Sequence, residues 1–254
     1  MSLLAVFTDI SLAQLGLVAG MALLASVVGG VSGYGTGALM PLVLVPIVGA
    51  EPVVPIIAIS SLFTNTSRAA AFFDIIDGRR VLIVLAGAIP TCILGAWGYT
   101  RLDDAGALLV IGGMMILSVP LRRLLKRRDI KLGDGGLFAG ALGFGLAAGG
   151  TTGAGIILLS LLMVVGLESG AVIATDAAVS IVLGIVRVLV FGVAGVVDTK
   201  VIAFALLIGL VAFPGAFLAK AFVERLPVLV HTAILDAVVL FGGLAMIVGA
   251  FKRH

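Results

Sequence analysis

Two arginines, one acid and two clusters of glycine and threonine could do chemistry in this chain. Each is set inside an otherwise apolar run. Arg68 follows the polar stretch SSLFTNTS, residues 60–67, and Arg187 lies within VSIVLGIVRVLVFGVAG. A guanidinium stays charged and grips a planar or tetrahedral oxyanion through paired hydrogen bonds. At the centre of a membrane helix it costs about 2.5–3.5 kcal/mol on insertion scales, so it needs a water-filled cavity or a partner. Asn65 and Ser61 precede Arg68 at helical spacing, and Ser180 precedes Arg187 in the same way. Asp176, in AVIATDAAVSIV, is the one deeply embedded acid. It is a candidate proton relay for coupled transport, and equally a candidate ion-pair partner for Arg187. Asp176 or Asp74 could neutralise one of the two arginines, and Arg68 could instead snorkel to the cytoplasmic interface.

The glycine clusters are VSGYGTGALMP, residues 31–41, and GGTTGAGIILL, residues 149–159. Backbone inside a bilayer must satisfy its own hydrogen bonds unless it lines a cavity or is buried in protein. A broken helix there suggests a site. The segments that follow the breaks start near Thr36 and Gly153. Their first N–H groups lack helical partners, and the helix dipole puts partial positive charge on them. Two such N-termini meeting at mid-membrane would hold an anion. Tyr34, Thr36, Thr151 and Thr152 could add hydroxyl donors, and Gly35 and Gly153 would let an oxyanion approach the backbone. The competing reading is that these glycines only permit close helix packing. The predicted binding set is Tyr34, Gly35, Thr36, Asn65, Arg68, Thr151, Thr152, Gly153 and Arg187, with Asp176 as the coupling candidate.

The elements that must carry these residues are transmembrane helices. Of the 254 residues 61% are hydrophobic and 11% charged, against roughly 25% charged in a soluble domain. The mean hydropathy is +1.32. A spanning helix needs about 20 apolar residues. Apolar segments fall at roughly 12–30, 36–50, 52–73, 80–99, 105–121, 136–149, 153–167, 169–196, 200–222 and 230–251. Those at 36–50, 136–149 and 153–167 are short enough to be half-helices or re-entrant pieces. One helix over 12–50 would run ~58 Å, far beyond a ~30 Å hydrocarbon core. The first residues, MSLLAVFTDI, lack a basic region and an A-x-A site, so no cleavable signal peptide is expected.

The stretch LRRLLKRRDIKLGDGG, residues 121–136, is the strongly polar one. The positive-inside rule makes it cytoplasmic. It divides the chain into a first membrane repeat (1–120), a basic linker (121–135) and a second repeat (136–254). The halves match weakly but in order. Gly35-Thr36-Gly37 falls against Gly153-Ala154-Gly155, Gly49-Ala50-Glu51 against Gly166-Leu167-Glu168, Ser61 against Ser180, and Arg68 against Arg187. Asp77-Gly78-Arg79 falls near Asp198-Thr199-Lys200, and Arg101-Leu102 near Arg225-Leu226. Five segments per half would give the halves opposite topology, an inverted repeat. Eight spans, with each broken pair counted once, also keep most basic residues inside. The expected fold is an all-α polytopic membrane protein of about ten hydrophobic segments.

The remaining residues point to no other chemistry. The single cysteine, Cys92, forms no intramolecular disulfide, and His231 and His254 make no metal cluster. Asp103, Asp104 and Glu224 sit near segment ends and read as solvated. Pro41, Pro46, Pro90 and Pro214 read as helix kinks, and Pro90 and Pro214 as candidate hinges. There is no P-loop, no H-E-x-x-H and no triad, and the G-x-G runs sit in no βαβ unit. No cofactor, metal or nucleic-acid partner is expected, and an enzyme is disfavoured.

A first helix that ends in a glycine-rich break, VVGGVSGYGTGALMPLVLV, and its recurrence in LAAGGTTGAGIILLSLLMVVGLESGAVIATDAAVS, joined by a basic loop, resembles the TauE/SafE family of sulfite exporters, also called the toluene-sulfonate uptake permease family. The resemblance covers nearly the whole chain. It implies a bacterial inner-membrane secondary carrier, without an ATPase, for sulfite or a small organosulfonate. It carries the glycine breaks but not the arginines. The alternatives are an anion channel with the same lining, a carrier of a cation or neutral metabolite, and a non-transporting subunit. A proton or ion is the candidate coupling partner, and small-residue helix faces suggest a homodimer.

Overall fold

The computed structural model describes Phe7 and residues 10–32, 35–127, 132–222 and 228–252. The described residues are mainly helical, joined by short turns, with no strand among them. The helices are α1 (Leu12–Ser32), α2 (Gly35–Val48), α3 (Val53–Ala71), α4 (Gly78–Tyr99), α5 (Asp104–Arg127), α6 (Asp134–Gly150), α7 (Gly155–Val164), α8 (Ser169–Val193), α9 (Thr199–Ala212), α10 (Gly215–Phe222) and α11 (Val228–Lys252). A short 3-10 turn, Phe73–Ile75, follows α3. Among the described residues, five helical stretches are long and apolar enough to cross a bilayer: Leu12–Gly30, Gly78–Tyr99, Asp104–Leu121, Ser169–Val193 and Thr199–Ala219. The chain is an all-α polytopic membrane protein. Leu82, Leu94, Leu189, Val193, Leu210 and Phe241 point outward, as a lipid-facing surface requires.

Local chemistry explains the ends of the helices. α4 and α9 each begin on an aspartate cap: Asp77 accepts from the Arg80 N–H at 3.0 Å, and Asp198 from the Val201 N–H at 2.8 Å. A carboxylate there satisfies an orphan donor and sits at the positive end of the dipole. α2 and α7 each end on a left-handed glycine, Gly49 with φ +87° and Gly166 with φ +90°, which closes the last turn without a Cβ clash. These are pairs that the sequence sets against each other. Asp104, read as solvated, instead accepts a 2.6 Å hydrogen bond from the Ala50 N–H and pins that turn.

The segment expected at 200–222 is two helices. Pro214 carries no N–H and cannot continue the ladder, so α9 ends at Ala212 and α10 restarts at Gly215. Ser26 of α1 donates to the Ala212 carbonyl at 2.6 Å, and Ser67 of α3 to the Phe213 carbonyl at 2.5 Å. Hydroxyls from neighbouring helices thus replace the missing backbone partners. Pro90, by contrast, lies inside a continuous α4, and Pro41 and Pro46 inside α2.

Packing crosses the sequence midpoint. α4 lies along α6, and α1 along α9 and α10; α3 packs on α8, and α5 on α11. Added Cβ atoms at Gly145 and Gly149 would run into the α4 backbone at Ala88 and Cys92, so these glycines set how closely α6 approaches α4. Two apolar clusters result. One gathers side chains such as Val18, Leu44, Ile56, Phe191 and Phe204; the other gathers Val84, Leu137, Leu158 and Leu162.

Candidate functional site

The site starts from the two backbone breaks. α1 stops at Ser32 and α2 restarts at Gly35; α6 stops at Gly150 and α7 restarts at Gly155. Gly153 sits between them at φ +79°, in the left-handed region that costs glycine nothing. A Cβ on Gly37 would lie 2.8 Å from the Gly153 amide nitrogen and 3.2 Å from its Cα. The breaks therefore pack backbone against backbone. Neither α2, with 14 residues, nor α7, with 10, spans a ~30 Å core, since 10 residues of helix cover about 15 Å. Their N-termini come together inside the protein, and their first amides have no partner in their own helix.

A cavity of about 90 Å³ opens beside this contact; a single water needs about 10–15 Å³ on the same measure. Thr36 of α2 and Thr151, Thr152 and Gly153 of the second break line it, with Asn65 and Arg68 from α3 and Asp176 and Arg187 from α8. Eight residues predicted from sequence share this one cavity. Gly35 lines a smaller adjoining cavity with Ser26, Gly29, Thr64 and, again, Thr36 and Arg68. Tyr34 lies outside the described residues.

The polar contacts sort the charged groups. Arg68 does not reach the interface; it is 8% exposed. It donates to Asn65 Oδ1 one turn away and lies 3.2 Å from Asp176 Oδ2. Asp176 thus pairs with Arg68, where the sequence allowed it one of the two arginines and singled out Arg187. The reason is geometric. α3 and α8 pack directly, so residues from two helices meet, whereas Asp176 and Arg187 are eleven residues apart on one helix, about 16 Å along its axis. Asp74 is exposed on the 3-10 turn. Arg187 makes a long 3.5 Å contact from Nη2 to the Thr151 carbonyl, and its Nε has no hydrogen-bond partner. Thr151 is buried and donates to the Val110 carbonyl at 3.4 Å. Thr152, 2% exposed, carries a hydroxyl with no hydrogen-bond partner among the described residues.

Sequence reasoning left out the apolar walls, Ile57, Phe144 and Leu183, and the glycine at the contact itself, Gly37. No signal marks an apolar wall residue among so many apolar residues. Gly37 was signalled by its place in GTG, beside Gly35.

Interrupted helices whose ends meet at a polar, charged cavity inside a membrane bundle are a feature that many membrane transporter folds share. The chain belongs to the TauE/SafE family: the family model described as "Sulfite exporter TauE/SafE" matches residues 18–246. It is thus a member of a family of sulfite-exporter-type membrane transporters. No curated protein and no solved structure matches it.

Proposed function

We propose that the chain is a secondary transporter that moves sulfite or a small organosulfonate across the bacterial inner membrane. The carrying observation is the charge of the cavity. Two guanidiniums and one carboxylate line it, leaving an excess of positive charge in a low-dielectric interior. The amide ends of α2 and α7 and the open Thr152 hydroxyl add donors. A site rich in donors and positive charge takes an oxyanion. A cation carrier would need Asp176 as its ligand, and Asp176 already lies against Arg68.

The substrate would sit between two inverted repeats, 1–120 and 136–254, that rock about it to give alternating access. Three features support the repeat: the paired glycine ends of α2 and α7, the paired aspartate caps of α4 and α9, and helix contacts that recur when the halves are exchanged. The basic linker would face the cytoplasm. Asp176 is the candidate for proton coupling. The reading assigns no enzymatic step, cofactor or nucleic-acid partner, and allows a homodimer in the lipid bilayer.

Thermal stabilisation of the purified protein by a panel of sulfite, sulfate, sulfoacetate, taurine, phosphate and chloride tests this, because a ligand bound to the folded state raises Tm by mass action. Selective stabilisation by sulfite or a sulfonate is expected, lost in Arg187→Gln. A flat response across the panel would move the substrate to cations or neutral solutes. Saturable, gradient-driven flux in vesicles separates the carrier from an anion channel.

A further inference from the structure

The charged groups of the cavity are unequally arranged. Arg68 and Asp176 form a close pair, with side chains 10% and 1% exposed. Arg187 meets no carboxylate among the described ion pairs. The titratable groups of α4 that act on it electrostatically are Cys92 and Tyr99, and both are neutral in their ordinary forms near pH 7. Tyr99 keeps its proton in hydrogen bonds to the Ala50 and Glu51 carbonyls. The sum is one positive charge beyond balance, centred on Arg187. The Asp176 carboxylate is buried in the wall of the same cavity, held there by the Arg68 guanidinium.

We propose that Asp176 sets the valence of the substrate: the site accepts a monovalent tetrahedral or pyramidal oxyanion, a sulfonate or hydrogensulfite, and discriminates against a dianion. This rests on the anion-site reading above. One negative charge balances Arg187. A second has no cation to meet, because Arg68 is already committed to Asp176, and it shares a cavity of about 90 Å³ with the Asp176 carboxylate, where like charges repel. Discrimination of this kind comes from a repulsive group built into the site as much as from attractive ones.

Methanesulfonate and sulfate are suitable probes. They are near-isosteric tetrahedra that differ by a methyl group in place of a charged oxygen. Calorimetric titration of the full-length protein in detergent at neutral pH is expected to show methanesulfonate binding at least about tenfold more tightly than sulfate. Asp176→Asn should narrow or reverse that ratio by about tenfold, mainly by improving sulfate. Asp176→Glu, which keeps the charge, should preserve the preference. Tighter sulfate binding by the unaltered protein overturns the proposal, and that comparison stands even if Asp176→Asn fails to fold. A ratio untouched by Asp176→Asn, with both anions still bound, overturns it while leaving the anion site intact. Binding of neither anion removes the anion site and the proposal with it.

Discussion

Gly37 of α2 and Gly153 of the break before α7 lie backbone to backbone, so close that a methyl group on Gly37 would sit 2.8 Å from the Gly153 nitrogen. This contact joins the two half-length helices and sets the floor of the cavity. Because the neighbour is backbone, no flexible side chain can yield. Gly37→Ala should cost about 1–3 kcal/mol by overpacking and lower ligand stabilisation. Gly153→Ala should cost about 1–2 kcal/mol through its left-handed backbone. Gly143→Ala, where an added Cβ meets nothing within 4 Å, should leave Tm and binding unchanged. Similar behaviour of the three variants in a thermal melt would refute the contact's role.

The two arginines should separate by phenotype. Arg68→Gln strands the buried Asp176 carboxylate, and breaking a buried pair from one side costs about 3–5 kcal/mol. The double variant Arg68→Gln with Asp176→Asn should recover most of that loss, because no unpaired charge remains. Thermal melts of the two singles and the double provide the cycle; additive losses would count against the pair.

Arg187→Gln removes a cation that has no carboxylate partner among the described ion pairs. Its Tm without ligand should hold within about 1 kcal/mol of stability, while anion stabilisation disappears. Arg187→Lys should retain only part of it, because an ammonium lacks the bidentate fork. Unaltered transport by Arg187→Gln would take this residue out of the site.

Thr152 offers the cleanest test of a group that waits for a ligand. Its hydroxyl is buried without a partner, and a buried hydroxyl left unmet costs about 1–3 kcal/mol. Thr152→Val keeps the shape and removes that cost. The ligand-free protein should become equally or more stable, while anion affinity falls. A stability loss with unchanged affinity would assign Thr152 a packing role.

At the break between α9 and α10, Ser26 and Ser67 hold the Ala212 and Phe213 carbonyls. Ser26→Ala and Ser67→Ala should each cost about 1–3 kcal/mol by leaving a carbonyl unmet where water is scarce. Serine restored by cysteine should rescue little, since a thiol is a weak donor.

Much of this protein was legible in order of residues alone. The all-helical membrane class followed from apolar run lengths, because a bilayer admits helices with satisfied backbones and little else. The glycine breaks were legible because such a run has few other reasons to interrupt itself, and of the residues they nominated Thr36, Thr151, Thr152 and Gly153 line one cavity. The break at Pro214 was underread as a kink: whether a proline bends a helix or divides it depends on whether neighbours supply hydroxyls for the freed carbonyls, as Ser26 and Ser67 do.

Sequence by itself fixed which residues carry charge into the membrane and at what helical spacing. It could not fix who meets whom. Asp176 and Arg187 share a helix and looked like partners, yet a rigid helix holds residues eleven apart about 16 Å from each other. The packing of α3 on α8 brought Arg68 to Asp176 instead. That choice belongs to tertiary structure, because contacts between helices depend on which small-residue faces let their backbones approach. It is also what leaves Arg187 as the excess positive charge of the cavity.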